Sequence, residues 1–427
     1  MNAALLFLGI FLLVIVNVPI AISLGLAAVV ATVLTQGSNS LLNLPIDMFN
    51  GATSFPLIAI PLFVLAGAIM NASGISRRLI ELASSCLGFI RGALSLVTIG
   101  TTLFFAEISG SAVADVAALG SILAPAMQSK GYTKEFSAAV LSSSATLAVI
   151  IPPSIPMILY AAMAQTSVVK VFVSGIIPGV LGGLMMMGVS YWFARRYDFP
   201  VDSALDLRRI GRALRSASWA LLLPIIILGG IFGGVVTATE GAGLAVVAAM
   251  LIGFVIYREL NVRHLWAAMV EGAVQTSVVM LLVAASVLLS SYLTTAQIPQ
   301  ELTASVLQLT HNKYLVLLLL NFVLLFLGLF LHSAAAIILV VPIVMPLVHA
   351  VGIDPVHFGL VVTINLGIGQ QTPPMASVLT TACAVAKADM WEVTKVNVYY
   401  VAVLVFILAL VTYLPVVPMS LVHLFYG

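Results

Sequence analysis

The sequence predicts an all-α polytopic membrane protein made of two inverted repeats, each holding a re-entrant helical hairpin and a discontinuous helix. Three observations predict it. Of 427 residues, 62% are hydrophobic and only 7% charged, and the mean hydropathy of +1.20 lies far outside the range of soluble domains. Apolar stretches long enough for a hydrocarbon core of about 30 Å recur from end to end, with no strand-like alternation that would suggest a barrel. Finally, Pro125, Gly131, Pro152 and Pro153 recur 221 positions later as Pro346, Gly352, Pro373 and Pro374, so helix-breaking residues repeat in register without a gap.

The first apolar stretch, 3–34, is far longer than a signal-peptide core and has no basic run before it, which predicts one retained spanning helix. Crossings are predicted next at 55–71, 135–165, 170–194, 218–236, 242–257, 267–294, 356–386 and 396–417. The stretches 93–128 and 314–349 behave differently. Each can enter the membrane and leave again, and each is interrupted by small and polar residues, ISGSA at 108–112 and LHSAA at 331–335, as a hairpin requires. With two hairpins, Arg77, Arg78, Arg91, the arginines of 195–215, Arg258, Arg263, Lys387 and Lys395 all fall on the cytoplasmic side. A single crossing in place of either hairpin would scatter them. The expected organisation is a first repeat over 1–194, a basic cytoplasmic loop and connecting helix over 195–241, and an inverted second repeat over 242–427.

Interrupted helices at corresponding positions of inverted repeats point to a secondary transporter with its site near the midplane. In SSSATLAVIIPPSIPM, 142–157, the prolines lack the N–H that a helix needs, so the carbonyls of Ala148 and Val149 lose their partners. Pro373 and Pro374 do the same to Gly369 and Gln370. Such groups are costly at membrane depth unless something binds them, and a desolvated cation, sodium above all, takes uncharged oxygen ligands. Ser109, Ser111 and Ser333 at the hairpin breaks, with Ser144 and Thr372 on the crossings, supply hydroxyls. Two related sites follow, each between a hairpin tip and a broken helix. Prolines also merely kink membrane helices, and small residues merely pack them; two motifs in register favour the site.

The half-helices after the breaks aim N–H groups and positive dipole ends at the same region, which suits an anion. No arginine or lysine lies in the middle of these segments, so a carboxylate would rest on Ser144, Ser154, Asn365, Gln370, Gln371 and Thr372. Glu107 and Asp115 are acids close to the first hairpin break, and such groups are functional candidates by default. Asp115 reads as an ion ligand or, preferred here, as the acid capping the hairpin's second helix. The second repeat has Gly328 and Ala336 at these places, so no acid is shared. His332 matches Ser111 and reads as a hydrogen-bonded tip residue, Glu240 as a turn acid, and Cys86 and Cys383 as buried thiols. No GxxxxGK[ST], no HExxH and no basic tract with interleaved aromatics appears, which argues against ATP-driven transport by this chain, zinc hydrolysis and nucleic-acid binding. An intramembrane hydrolase using Glu107 with Asp115 or His332 is a remote alternative. A channel is disfavoured, because hairpins opening to opposite sides imply alternating access.

The runs IPLFVLAGAIMNASGIS at 60–76, FFAEISGSAVADVAALGSILAPAM at 104–127 and LAVIIPPSIPMILYA at 147–161 resemble the large membrane subunit of a tripartite ATP-independent periplasmic (TRAP) transporter. The resemblance extends over essentially the whole chain. It implies a bacterial inner-membrane protein, not an enzyme, surrounded by lipid and working as an elevator in which a domain holding both hairpins slides against a scaffold. Its implied partners are a separate small four-helix membrane subunit and a soluble periplasmic binding protein. Sodium is the implied coupling ion, with no organic cofactor, and an organic acid the substrate, sialic acid first and a four-carbon dicarboxylate next. Carried over residue by residue, the cation sites fall on Ser109, Gly110 and Ser111 with Ala148, Val149 and Pro152, and on His332 and Ser333 with Gly367, Gly369 and Thr372. A stand-alone ion-coupled anion carrier is the alternative, distinguished by activity without a binding protein.

Overall fold

The computed structural model describes residues 3–16, 18–109, 111–202, 204, 206–374 and 376–427, the side chains of residues 3, 4, 15, 38 and 105–109 excepted. Among these residues the secondary structure is helical throughout. In chain order the α-helices are α1 Ala3–Ile15, α2 Ile20–Gln36, α3 Leu44–Ala52, α4 Ala59–Ala72, α5 Ile75–Leu87, α6 Ala93–Ser109, α7 Ala112–Ser129, α8 Lys134–Ala145, α9 Ile155–Met163 and α10 Val168–Arg196. They continue as α11 Leu207–Phe232, α12 Ala238–Leu251, α13 Val262–Thr295, α14 Ile298–Leu309, α15 Lys313–Gly328, α16 Ser333–Ala350, α17 Pro355–Gly369, α18 Ser377–Ala386, α19 Met390–Tyr413 and α20 Val416–Tyr426. Among the described residues, eight helical segments are long and apolar enough to cross a membrane.

Two expectations are corrected. The stretch 3–34 is not one helix, because Pro19 has no amide to continue the ladder and disfavours helical geometry in the residue before it; α2 starts afresh at Ile20. The crossing expected at 218–236 begins instead at Leu207, where Asp206 caps it by accepting from the Arg208 amide at 2.8 Å. Arg208, Arg209, Arg212 and Arg215 are therefore helical, as arginine's good helix propensity allows, and Arg195 and Arg196 close α10, so the arginines expected in a basic loop all lie in helices. Glu240 forms a capping box with Thr237 at the start of α12, its carboxyl accepting from the Thr237 amide at 2.8 Å and hydroxyl at 2.9 Å.

The 221-residue offset carries from sequence into structure. Shifted by it, α7 spans 333–350, the bounds of α16, and α5, α6, α8, α9 and α10 fall on α14, α15, α17, α18 and α19 to within a few residues. The second limbs of both hairpins end alike. Gly131 and Gly352 take φ of 87° and 70°, and the amides of Tyr132 and Ile353 return to the carbonyls of Met127 and Val348 at 3.1 and 3.0 Å. Packing is exchanged between halves: α7 lies on α18 while α16 lies on α9, and α8 lies on α19 while α17 lies on α10. A twofold relation between the repeats demands this exchange, and each half-helix is thereby buried by the other repeat.

The helices sort into two packing groups. The helices α2, α3, α4, α12 and α13 pack mainly on one another, as α5 does on α11, whereas the hairpins, broken helices, α10 and α19 form the second group. In α16 the most apolar window is 72% buried inside the protein, against 33% for α11, so the hairpin limb is a core element and α11 faces outward. The α5 helix is amphipathic, with Ile75, Leu79 and Leu82 buried beneath Arg77 and Glu81. Its Arg78 guanidinium lies 2.7 Å from Glu259, donates to the Gly74 carbonyl at 3.0 Å and sits 3.7 Å over the Tyr257 ring.

This three-sided hold needs a planar fork, so Arg78→Lys is expected to destabilise the protein by about 1–2 kcal/mol, read as a lower melting temperature in detergent. Arg77 faces the same carboxylate at 3.3 Å but is 64% exposed, and Arg77→Lys is expected to change stability by less than about 0.5 kcal/mol.

Candidate functional site

At the first break, α8 tightens into a 3-10 turn over Thr146–Val149, stops at Pro152 and Pro153, and resumes as α9. At the second, α17 ends at Gly369, the chain turns through Gln370 to Pro374, and α18 follows. Both Pro-Pro bonds are cis. The freed carbonyls do not all stay free. Val149 accepts from the Ser154 hydroxyl at 2.9 Å, and Gly369 from the Thr372 amide at 3.1 Å. No described donor reaches the carbonyls of Ala148 or Gln370, and each engaged carbonyl keeps a second lone pair.

Each hairpin lies against the break of its own repeat. In the second repeat, Gln370 Nε2 donates to Ser333 Oγ at 2.8 Å, and the Gly328 backbone packs directly on Gly369. In the first, α6 and α7 both pack on the 3-10 turn, and Thr102 donates to Ser144 Oγ at 3.3 Å. Ser111 caps α7, accepting from the Ala114 amide at 3.5 Å, and the buried Asp115 stands one residue further into the first turn. The N-cap is thus Ser111, and Asp115 is the acid of the helix's first turn. Gly110 and the side chains of Glu107 and Ser109 lie outside the described residues. His332 takes the matching N-cap place but forms no side-chain cap, and its ring has no hydrogen-bond partner among the described residues. Cys86 is exposed on α5, contrary to expectation, because the buried face of that amphipathic helix is occupied by its aliphatic residues; Cys383 is buried.

The amides expected to meet a substrate are engaged with the protein. Gln371, 1% exposed, donates from Nε2 to the Ser142 carbonyl at 2.7 Å and to Thr146 Oγ1, while its Oε1 accepts from Ser142 Oγ at 2.6 Å and Asn397 Nδ2 at 3.3 Å. Asn365 donates to the Val361 carbonyl and to Asn321 Oδ1, both at 2.7 Å, and Asn321 donates to Thr412 Oγ1 at 3.2 Å. Asn365 Oδ1 is buried with no described partner. Thr372 donates to the Ile368 carbonyl at 2.9 Å. Thr146, Ser142, Ser143, Asn321 and Asn397 are site-building residues that the sequence reading missed. Single amides inside apolar runs, as at 321 and 397, were the available signal.

With these side-chain donors engaged, uncapped helix starts are the places where backbone N–H groups lack a side-chain acceptor. Within the two hairpin-and-crossing units, α8, α10, α15, α17 and α19 are capped by Thr133, Ser167, Asn312, Asp354 and Asp389. The helices α9, α16 and α18, which start at the breaks and at the second tip, have no side-chain cap. Among the described residues no cluster of His, Cys, Asp and Glu suits a transition metal.

Paired hairpins beside paired broken helices, in an all-helical membrane protein, make the architecture of a secondary-transporter permease. The chain belongs to the DctM component family of tripartite ATP-independent periplasmic transporters, whose family profile matches residues 7–417, and is accordingly a multi-pass protein of the bacterial inner membrane. It is 42% identical, over 96% of its length, to the isethionate TRAP transporter permease protein DctMQ of Oleidesulfovibrio alaskensis, and spans 64% of that relative. The C4-dicarboxylate TRAP transporter large permease protein DctM of Pseudomonas aeruginosa is 38% identical over 93% of both chains. The sialic acid TRAP transporter large permease protein SiaM of Vibrio cholerae is 34% identical over 96% of both. The crystal structure of the Alcanivorax borkumensis YdaH transporter, of unusual topology, matches with a TM-score of 0.63 at 15% identity over 88% of each chain, a likeness of fold alone.

Proposed function

We propose that the chain is the sodium-coupled membrane carrier of a tripartite importer for an organic acid, and not an enzyme. The acid is delivered by a periplasmic binding protein, a small membrane subunit completes the scaffold, and the second packing group slides against the first as an elevator. The observation that carries this reading is the set of uncapped helix starts of α9, α16 and α18 beside two breaks rich in uncharged oxygen. The first suits an anion and the second a desolvated sodium ion. Recognition by backbone N–H groups rather than a fixed arginine also fits relatives named for isethionate, C4-dicarboxylates, 2,3-diketo-L-gulonate and sialic acid. Those substrates share little beyond an acid group. Sialic acid and a four-carbon dicarboxylate are therefore tested as members of one panel.

The test is uptake of labelled acids into proteoliposomes holding this chain with its two partner proteins. At zero membrane potential, two sodium ions moving down a tenfold gradient support about 100-fold accumulation of the acid, since each tenfold step is about 1.4 kcal/mol. Uptake is expected to fall to background without sodium or without the binding protein. Sodium-driven uptake by this chain alone would establish the stand-alone carrier instead, and equal uptake with and without sodium would remove the cation sites.

A further inference from the structure

The second break does not stand apart from the first. Gln371, just past the end of α17, crosses to the first repeat, where its carboxamide meets Ser142 on α8 and Thr146 on the 3-10 turn, residues 229 and 225 positions away in the chain. Both its N–H groups donate and its oxygen accepts two bonds, so its hydrogen-bonding capacity is used up. Asn397 extends the junction to α19, donating to Gln371 and accepting from Ser143 Oγ. Gly367 makes the approach possible: a Cβ there would lie 2.9 Å from Thr146 Cγ2. On one side of this junction the neighbouring Gln370 holds Ser333 at the second tip. On the other side, Thr146 opens the 3-10 turn that contains Ala148 and Val149.

We propose that Gln371 is a positioning residue that couples the two candidate cation sites, so that filling one break prepares the other. The proposal rests on the sodium-coupled reading above. A cation drawing the 3-10 turn together displaces Thr146, and a saturated, buried amide passes that displacement to Gln370 and Ser333, because it has no spare bond with which to absorb it. Coupling of this kind is reciprocal, and between two sites it allows a Hill coefficient of up to about 2. A substrate ligand would behave differently. It would need an unused donor, and Gln371 has none.

The experiment uses the complete transporter in proteoliposomes and measures equilibrium sodium binding, which gives the Hill coefficient and sodium midpoint, and initial uptake of the acid, which gives its KM, for the native chain, Gln371→Met and Thr146→Val. Methionine keeps the length of glutamine without its hydrogen bonds, and valine keeps the shape of threonine. The native chain is expected to respond sigmoidally. Both variants are expected to fall to a Hill coefficient of about 1, with half-saturating sodium raised about fivefold or more. The KM for the acid should stay within twofold, the split that separates positioning from substrate contact. Should Gln371→Met fail to fold, Thr146→Val carries the comparison, together with the sodium-dependent rise of melting temperature, which reports binding without transport. Variants that keep the native Hill coefficient and sodium midpoint, or that raise only the KM for the acid, would overturn the coupling role. A sodium-activated native chain with a Hill coefficient of 1 would overturn coupling alone, whereas sodium-independent native uptake would overturn the carrier reading beneath it.

Discussion

Gly369→Ala is expected to abolish sodium-driven uptake. A Cβ at this position would lie 2.4 Å from the carbonyl carbon of Gly328, 2.5 Å from its Cα and 2.6 Å from its oxygen. These are all backbone atoms, so no rotamer change relieves the clash. Either the end of α17 or the tip of the second hairpin must move by about 1 Å. Overpacking usually costs about 1–3 kcal/mol where side chains can yield, and the upper end or more applies here. The functional loss should be larger than the loss of stability, because the displaced segment contains the carbonyls and the Ser333 contact of the second candidate site. Misplacement of reacting groups by 1 Å can cost about 100-fold in an enzyme, and a comparable fall in initial uptake is expected. Gly188 is the control: nothing lies within 4 Å of its Cβ position, and Gly188→Ala in a helix interior should be neutral or stabilising by up to about 1 kcal/mol. Wild-type sodium dependence in a folded Gly369→Ala protein would show that contact between tip and break plays no part in transport.

The second large effect is expected at the first break. A Cβ on Gly175, on α10, would stand 2.1 Å from the Ile150 carbonyl oxygen and 2.7 Å from Met157 Cε. The methionine can swing away, but the carbonyl turns only with its peptide plane, beside the turn that presents Ala148 and Val149. Gly175→Ala should therefore raise half-saturating sodium by about tenfold or more, which corresponds to about 1.4 kcal/mol of lost ion binding. Gly179 offers a graded comparison. Its Cβ would meet the Ile151 side chain at 2.4 Å, a group with rotamers to spare, so Gly179→Ala should cost stability without the same shift in sodium dependence. Uptake against sodium and a melting curve on the same preparations separate the two outcomes.

Much of the architecture was legible because the features that announced it are local. Proline and glycine act on their own backbone, so Pro152, Pro153, Pro373 and Pro374 located both breaks, and together with Gly131 and Gly352 they gave the repeat offset. The repeat offset placed α16 to the residue from α7. Hydropathy was a poorer guide where apolar and polar residues share a helix. It ran α1 into α2 across Pro19, began α11 too late by leaving out its arginine-rich start, and passed over the amphipathic α5 and α14. The family resemblance rested on motifs inside the hairpin and the broken helix, and the family comparison bears it out over residues 7–417.

The sequence by itself determined the membrane class, the paired interruptions and the family, since each follows from composition or from residues that act on their own segment. Only the tertiary structure decided how the polar atoms are used. Ser154 turns back to Val149, Thr372 to Ile368, and Asn365 pairs with Asn321 across 44 positions. Gln371, which read as a substrate ligand, joins the two halves instead. A buried amide or hydroxyl takes whichever partner folding brings within about 3 Å, and no spacing in a linear chain records a partner more than two hundred residues away.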